Sequence, residues 1–276
     1  MNRGTGVARV VQFKPGPPGP AFVLVPGTGG EVDGFADLGG ALRTPMPVFA
    51  IEARGIQPGS TPDTSVEDMA EHYLACLQAL QVTGPYFLAG HSFGGLVVFD
   101  MAHRLLKAQE EVACLIMLDT PVSENFLPLS LFVKEIGKRL KRHTKRLLSI
   151  SARENAAYYF QRAKLRRAGL ERIPPAVTMG SNIASVMIAS EIARKKYDPQ
   201  FYPGKLTFFR SAEAADFELA WRGRAREIEL HGTAGGHIDM IEQPYVWSLA
   251  DDILACLMNA AAPGSEPASG PLVATR

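Results

Sequence analysis

The pentapeptide Gly90-His91-Ser92-Phe93-Gly94 stands where an apolar run, Tyr86-Phe87-Leu88-Ala89, gives way to helical spacing at Leu96, Val97, Phe99, Met101 and Ala102. A chain that passes from strand to helix within so few residues turns sharply. A serine at the apex of such a turn is strained, and its hydroxyl projects above the sheet. Small residues two before and two after it permit the close approach. The five residues alone also suit an ordinary tight strand–helix turn. The strand running in and the helix running out make Ser92 the candidate nucleophile.

The rest of the chain supplies a sheet for that turn to surmount. Short apolar runs alternate with helical patterns, which predicts an α/β fold with a largely parallel sheet. Strands are expected over 8–13, 21–25, 48–51, 86–89, 112–118, 206–209 and 227–230. Helices are expected over 35–42, from Ser65 to about Gln81, over 93–108 and over 246–259. Ser65-Val66-Glu67-Asp68 reads as an N-cap followed by acidic residues. Val66, Met69, Ala70, Tyr73, Leu74, Leu77 and Leu80 then recur at three- and four-residue spacing. Between about Ser123 and Lys196 the pattern is helical without a convincing strand. An insertion after a strand ending at Asp119 projects over the carboxyl ends of the strands, so it is read as a helical lid over about 123–197. Residues 1–262 are expected to form one domain. Residues 263–276, rich in Gly, Pro, Ser and Ala, read as a disordered tail or linker.

Composition narrows the function classes. The net charge of +1 gives no whole-molecule field for nucleic acid. No apolar run approaches the ~20 residues of a membrane span, and the first residues lack the layout of a signal peptide. The three cysteines, Cys76, Cys114 and Cys256, are scattered and show no metal spacing. They are read as reduced thiols of a cytoplasmic protein.

A serine hydroxyl needs a base. In a strand–serine–helix architecture of this kind the histidine comes late, after the last strand. His237, in Gly235-Gly236-His237, meets that requirement, and His231, abutting the strand itself, is the rival. His91 adjoins the nucleophile and is expected to point away from its hydroxyl. The histidine needs an acid to orient it. Asp119 ends an apolar strand where strand carboxyl ends reach the active face; Asp216, in a polar stretch after the next strand, is the alternative. Asp100 and Asp239 are read as structural, Asp239 as a cap of the last helix. Two backbone N–H groups are expected to meet the oxyanion: that of Phe93, and that of Thr28 in the Pro26-Gly27-Thr28-Gly29-Gly30 turn. No Gly-Lys-Ser/Thr accompanies these glycines, which argues against a phosphate loop.

Taken together, Val25-Pro26-Gly27-Thr28-Gly29-Gly30, Thr64-Ser65-Val66-Glu67-Asp68-Met69-Ala70 with Tyr73, the stretch Gly84 to Gly95, Leu118-Asp119, and Trp221 before His237 resemble the thioesterase domains that end polyketide synthases and nonribosomal peptide synthetases. The resemblance covers about Pro20 to Ala260. It implies the α/β-hydrolase fold with a helical lid, and it independently places the acid at Asp119. It departs at Thr233-Ala234-Gly235-Gly236-His237, where the family often has Pro-Gly-Asp/Asn-His. It implies release of an acyl, polyketide or peptidyl chain from the phosphopantetheine thioester of a carrier protein through a Ser92 ester, by hydrolysis or macrocyclisation. No cofactor or metal is implied beyond that carrier arm. The basic residues Lys138, Arg139, Lys141, Arg142, Lys145 and Arg146 read either as a solvated helix face or as a docking face for an acidic carrier protein. The insertion and the linker-like tail favour a chain-terminating domain, monomeric in isolation. The alternatives are a stand-alone editing thioesterase, a carboxylesterase or lipase, and a binding module on the same scaffold.

Overall fold

The computed structural model describes residues 8–122, 182–212 and 218–262. Its strands are β1 (Val10–Lys14), β2 (Phe22–Val25), β3 (Val48–Ile51), β4 (Tyr86–His91), β5 (Val112–Leu118), β6 (Tyr202–Arg210) and β7 (Ala225–Gly232). The described helices are α1 (Ala36–Ala41), α2 (Val66–Ala79), α3 (Gly94–Lys107), α4 (Asn182–Lys196), α5 (Glu218–Trp221) and α6 (Val246–Ala261). The strands form one sheet in the order β1-β3-β2-β4-β5-β6-β7. β1 runs antiparallel to β3, and every other pairing is parallel.

Parallel strands buried on both faces read as continuous apolar runs. β2 (Phe-Val-Leu-Val) and β5 (Val-Ala-Cys-Leu-Ile-Met-Leu) are buried along their whole length. One face of the sheet is covered by α2 and α3, which bring Met69, Tyr73, Leu77, Leu96, Val97 and Phe99 into one core. The other is covered by α1 and α6, with Leu38, Leu249, Ile253 and Leu257 packed on Phe22, Leu24, Ile116 and Leu118. The result is the three-layer α/β-hydrolase fold. From β2 the chain adds β3 on one side, then crosses to place β4 on the other. The strand order therefore reverses between β2 and β4, and such a switch point leaves a crevice at the strands' carboxyl ends.

Local chemistry sets the element ends. Ser65 Oγ accepts the N–H of Asp68 at 3.1 Å and starts α2. Leu80, counted in the apolar stripe from its spacing, lies beyond the end of α2 and is 42% exposed. β6 and β7 are longer than their apolar runs suggest. Pro203 and Gly204 disguise the start of β6, while β7 is an edge strand that alternates polar and apolar residues from Glu227 to His231 and is buried only at Ala225. Asp239 does not cap the last helix. It opens a short 3-10 turn, Asp239–Ile241, and α6 begins at Val246 behind Tyr245 with no side-chain cap bond.

Of the expected lid, residues 123–181 lie outside the described residues, as do the six basic residues named above and the tail from 263. The closing segment of that span is α4, whose Asn182 amide donates to the Ile56 carbonyl at 2.9 Å. Among the described residues, no helix is long and apolar enough to cross a membrane.

Candidate active site

The turn from β4 into α3 is as tight as its glycines suggest. A Cβ on Gly90 would lie 2.3 Å from the Gly94 carbonyl, and one on Gly94 only 2.2 Å from the Val25 carbonyl oxygen. Neither position admits a side chain without moving backbone. Ser92 between them has φ +53°, in the left-handed region that costs a non-glycine residue free energy and persists only where the surroundings impose it. The imposing contacts are the Ser92 N–H to the Leu118 carbonyl at 2.8 Å and the Gly95 N–H to the Ser92 carbonyl at 3.1 Å.

Ser92 Oγ lies 2.8 Å from His237 Nε2, and His237 Nδ1 lies 2.6 Å from Asp119 Oδ2. Both distances suit hydrogen bonds, with the Ser92 hydroxyl donating to Nε2 and Nδ1–H donating to the carboxylate. The structure thus brings together the serine after β4, the aspartate after β5 and the histidine after β7. Asp119 is fully buried and, like Ser92, has positive φ, +51°. Its N–H donates to the Phe209 carbonyl at 2.8 Å. Burial pushes its carboxyl pKa up, but hydrogen bonds from His237 and Ser211 outweigh this and hold it below the ordinary value. The Ser211 hydroxyl donates to Oδ2 at 2.9 Å and the Ser211 N–H to Oδ1 at 3.3 Å. The Trp221 indole N–H donates to the Thr120 carbonyl at 3.0 Å, fixing the backbone immediately after the acid.

Two supporting residues were not legible in the sequence. Ser211 has the right position, at the end of β6 beside β5, but a serine after a strand carries no signature of its own. His91 is the second. Expected only to point away from the serine hydroxyl, it belongs to the site: Nε2–H donates to the His237 carbonyl oxygen at 2.7 Å, and the two rings lie 5.2 Å apart. Burial lowers its pKa to about 4, so the ring is neutral at physiological pH. It anchors the backbone of the loop that presents His237, the loop whose sequence departs from the family pattern.

Thr28 and Gly29 occupy the middle of a turn closed by the Gly30 N–H to the Gly27 carbonyl at 2.9 Å. A Cβ on Gly27 would come within 3.4 Å of Ser92 Cβ, so this turn abuts Ser92. Phe93 is the N-cap of α3, where helix N–H groups have no intrahelical partner. Of the rivals, His231 stacks on Phe209 at 4.7 Å and turns Nε2 toward Glu229, not toward Ser92. Asp216 lies outside the described residues. Asp100 is occupied by Arg104 at 2.8 Å.

The sheet order and the turns at its strand ends are those of the α/β-hydrolase fold. Residues 20–126 match the family model described as thioesterase domain, and on that segment the resemblance to thioesterases is shown. The chain is 38% identical over 102 residues to atromentin synthetase greA of Suillus grevillei, and 43% identical over 95 residues to the nonribosomal peptide synthetase atqA of Aspergillus terreus. These alignments cover 37% and 34% of this chain and 10% of each relative, so it spans about a tenth of the length of the curated relatives it matches. Among solved structures, the NocB thioesterase domain from the nocardicin cluster superposes with a TM-score of 0.64 at 17% identity, over 92% of this chain and 100% of that one. At that identity the likeness speaks for the fold. The thioesterase likeness itself rests on the family match over residues 20–126.

Proposed function

We propose that this chain releases an acyl or peptidyl group from the phosphopantetheine thioester of a carrier protein, through an ester on Ser92. The observation that carries this reading is the unbroken hydrogen-bonded run from Ser92 Oγ through His237 to Asp119, with links of 2.8 and 2.6 Å. Its roles follow from the chemistry of each group. His237 Nε2 takes the Ser92 proton as the oxygen attacks the thioester carbonyl carbon. The oxyanion that develops is met by the N–H groups of Phe93 and Thr28. The tetrahedral intermediate collapses with cleavage of the C–S bond, and His237 returns its proton to the leaving sulfur. Water, or a hydroxyl or amine of the bound chain, then attacks the Ser92 ester with His237 again as base; the acyl C–O bond breaks and His237 returns the proton to Ser92 Oγ. The product is a free acid or a macrocycle.

Asp119 keeps the imidazole in the tautomer with Nδ1–H and stabilises the imidazolium that forms in each attack. Its depressed pKa suits it to remain a carboxylate throughout. His91 acts on this machinery as a positioning residue. The family match supports a thioester over an oxygen ester, and the likeness to peptide-synthetase relatives supports a carrier-bound substrate. The three free cysteines fit a reducing, cytoplasmic compartment.

The test is to compare kcat/KM for one acyl group presented on a carrier protein, on free pantetheine and as a simple oxygen ester. The proposal expects the carrier-bound thioester to exceed the pantetheine thioester, and both to exceed the oxygen ester. Preference for the oxygen ester, with no gain from the carrier, would mark an esterase instead.

A further inference from the structure

At the edge of the sheet, on the face covered by α6, three side chains converge that the proposed reaction does not use. Glu229 and His231 are two apart on β7 and therefore share a face. Cys256 comes from α6. One ligand atom from each, a carboxylate oxygen, a ring nitrogen and the sulfur, lies within 4.8 Å of the others. His231 Nε2 is shut off from solvent. Glu229 Oε1 faces it at 3.6 Å, a length at which the two are only weakly paired. A buried nitrogen left in this way is costly unless something else satisfies it.

We propose that Glu229, His231 and Cys256 form a site for one divalent transition-metal ion of the zinc type, tying the edge strand β7 to α6. In a tetrahedral site with metal–nitrogen and metal–oxygen bonds of about 2.0–2.2 Å, those two ligand atoms stand about 3.3–3.6 Å apart. The observed separation of 3.6 Å matches. One imidazole, one thiolate and one carboxylate are ligand types that zinc accepts together, with water as the fourth.

The surroundings hold the ligands in this arrangement. The ring of His231 is stacked on Phe209 at 4.7 Å, with an interplanar angle of 20°. The far oxygen of Glu229, Oε2, is engaged by the Lys205 ammonium at 3.0 Å and the Thr207 hydroxyl at 3.4 Å, which leaves Oε1 toward His231. Outer partners of this kind orient a metal ligand. The Cys256 thiol carries its proton at neutral pH, so ligation displaces one proton per ion. The two elements joined are those that flank the loop carrying His237. The site shares no ligand with Ser92, His237 or Asp119.

Cobalt(II) titration of the metal-free full chain tests this, read by the near-ultraviolet thiolate-to-cobalt absorption, with zinc competition against a chromophoric chelator. The expected result is one ion per chain with thiolate absorption, and affinity at least about tenfold weaker in Cys256→Ser and in His231→Ala. Zinc should also raise the melting temperature of wild type and not of the variants. Glu229→Gln, on the exposed edge, gives the same reading should either of the other variants fail to fold. No saturable binding by wild type, or thiolate absorption undiminished in Cys256→Ser, would overturn the site.

Discussion

Ser92→Ala should abolish formation of the acyl-enzyme, with turnover falling on the order of 10⁶-fold. Asp119→Asn should keep the fold but lower kcat by about 10⁴, because an amide no longer selects the Nδ1–H tautomer. Ser211→Ala removes one donor from Asp119 and should cost far less, about tenfold in kcat with KM unchanged. His91 makes a claim on stability as well. Its folded pKa of about 4 lies below the ordinary 6.5, so the unfolded chain binds the extra proton first as pH falls. Its contribution is therefore complete above about pH 6.5 and is lost as pH falls toward 4, about 3 kcal/mol in all. Urea midpoints of wild type should fall across that window, and His91→Asn should flatten the fall while lowering kcat through a looser His237 loop. A fall equally steep in the variant would remove His91 as its source. That Ser92, Asp119 and His237 come together was legible because each stands where an apolar strand ends or a late loop follows one. Ser211 and His91 were not, because their roles depend on which strands are neighbours and how a loop folds back.

At the scale of elements, the turn between β4 and α3 admits no side chain at its glycines. Gly94→Ala would drive a methyl to 2.2 Å from the Val25 carbonyl oxygen, and should destabilise the fold by roughly 2–4 kcal/mol, read as a lower melting temperature and low yield. Gly40, with open space around its Cβ position, should accept alanine without loss. Trp221→Phe keeps the ring in its buried place but leaves the Thr120 carbonyl unpaired, a cost of about 1–3 kcal/mol. The central strands were readable from the sequence because burial on both faces writes an unbroken apolar run. The outer strands were underread for physical reasons. Pro203 and Gly204 sit inside β6, and β7, on the edge, alternates polar and apolar residues and is buried only at Ala225. The last helix starts at Val246, as its apolar spacing suggests; only the capping role given to Asp239 fails, since an aspartate before an apolar stretch opens a 3-10 turn as readily as it caps an α-helix.

At the scale of the whole molecule, the strand order places the Ser92 turn and the Gly27–Gly30 turn on either side of the switch point, and Asp119 and His237 follow on the same edge. That convergence was predictable from motif order alone, because strands in a parallel sheet end on one side. The acyl group the site accepts, and the choice between water and an internal nucleophile, depend on what covers the crevice, and sequence pattern carries no such shape. The central claim is that Ser92 takes an acyl group from a thioester. Intact-mass spectrometry after mixing wild type and Ser92→Ala with acyl-phosphopantetheine thioesters tests it most directly. The account predicts a mass increase equal to the acyl group on wild type, absent from Ser92→Ala, with the released product's mass separating hydrolysis from cyclisation. An adduct of equal yield on both proteins, or no adduct and no turnover with thioesters alongside brisk cleavage of oxygen esters, would contradict it.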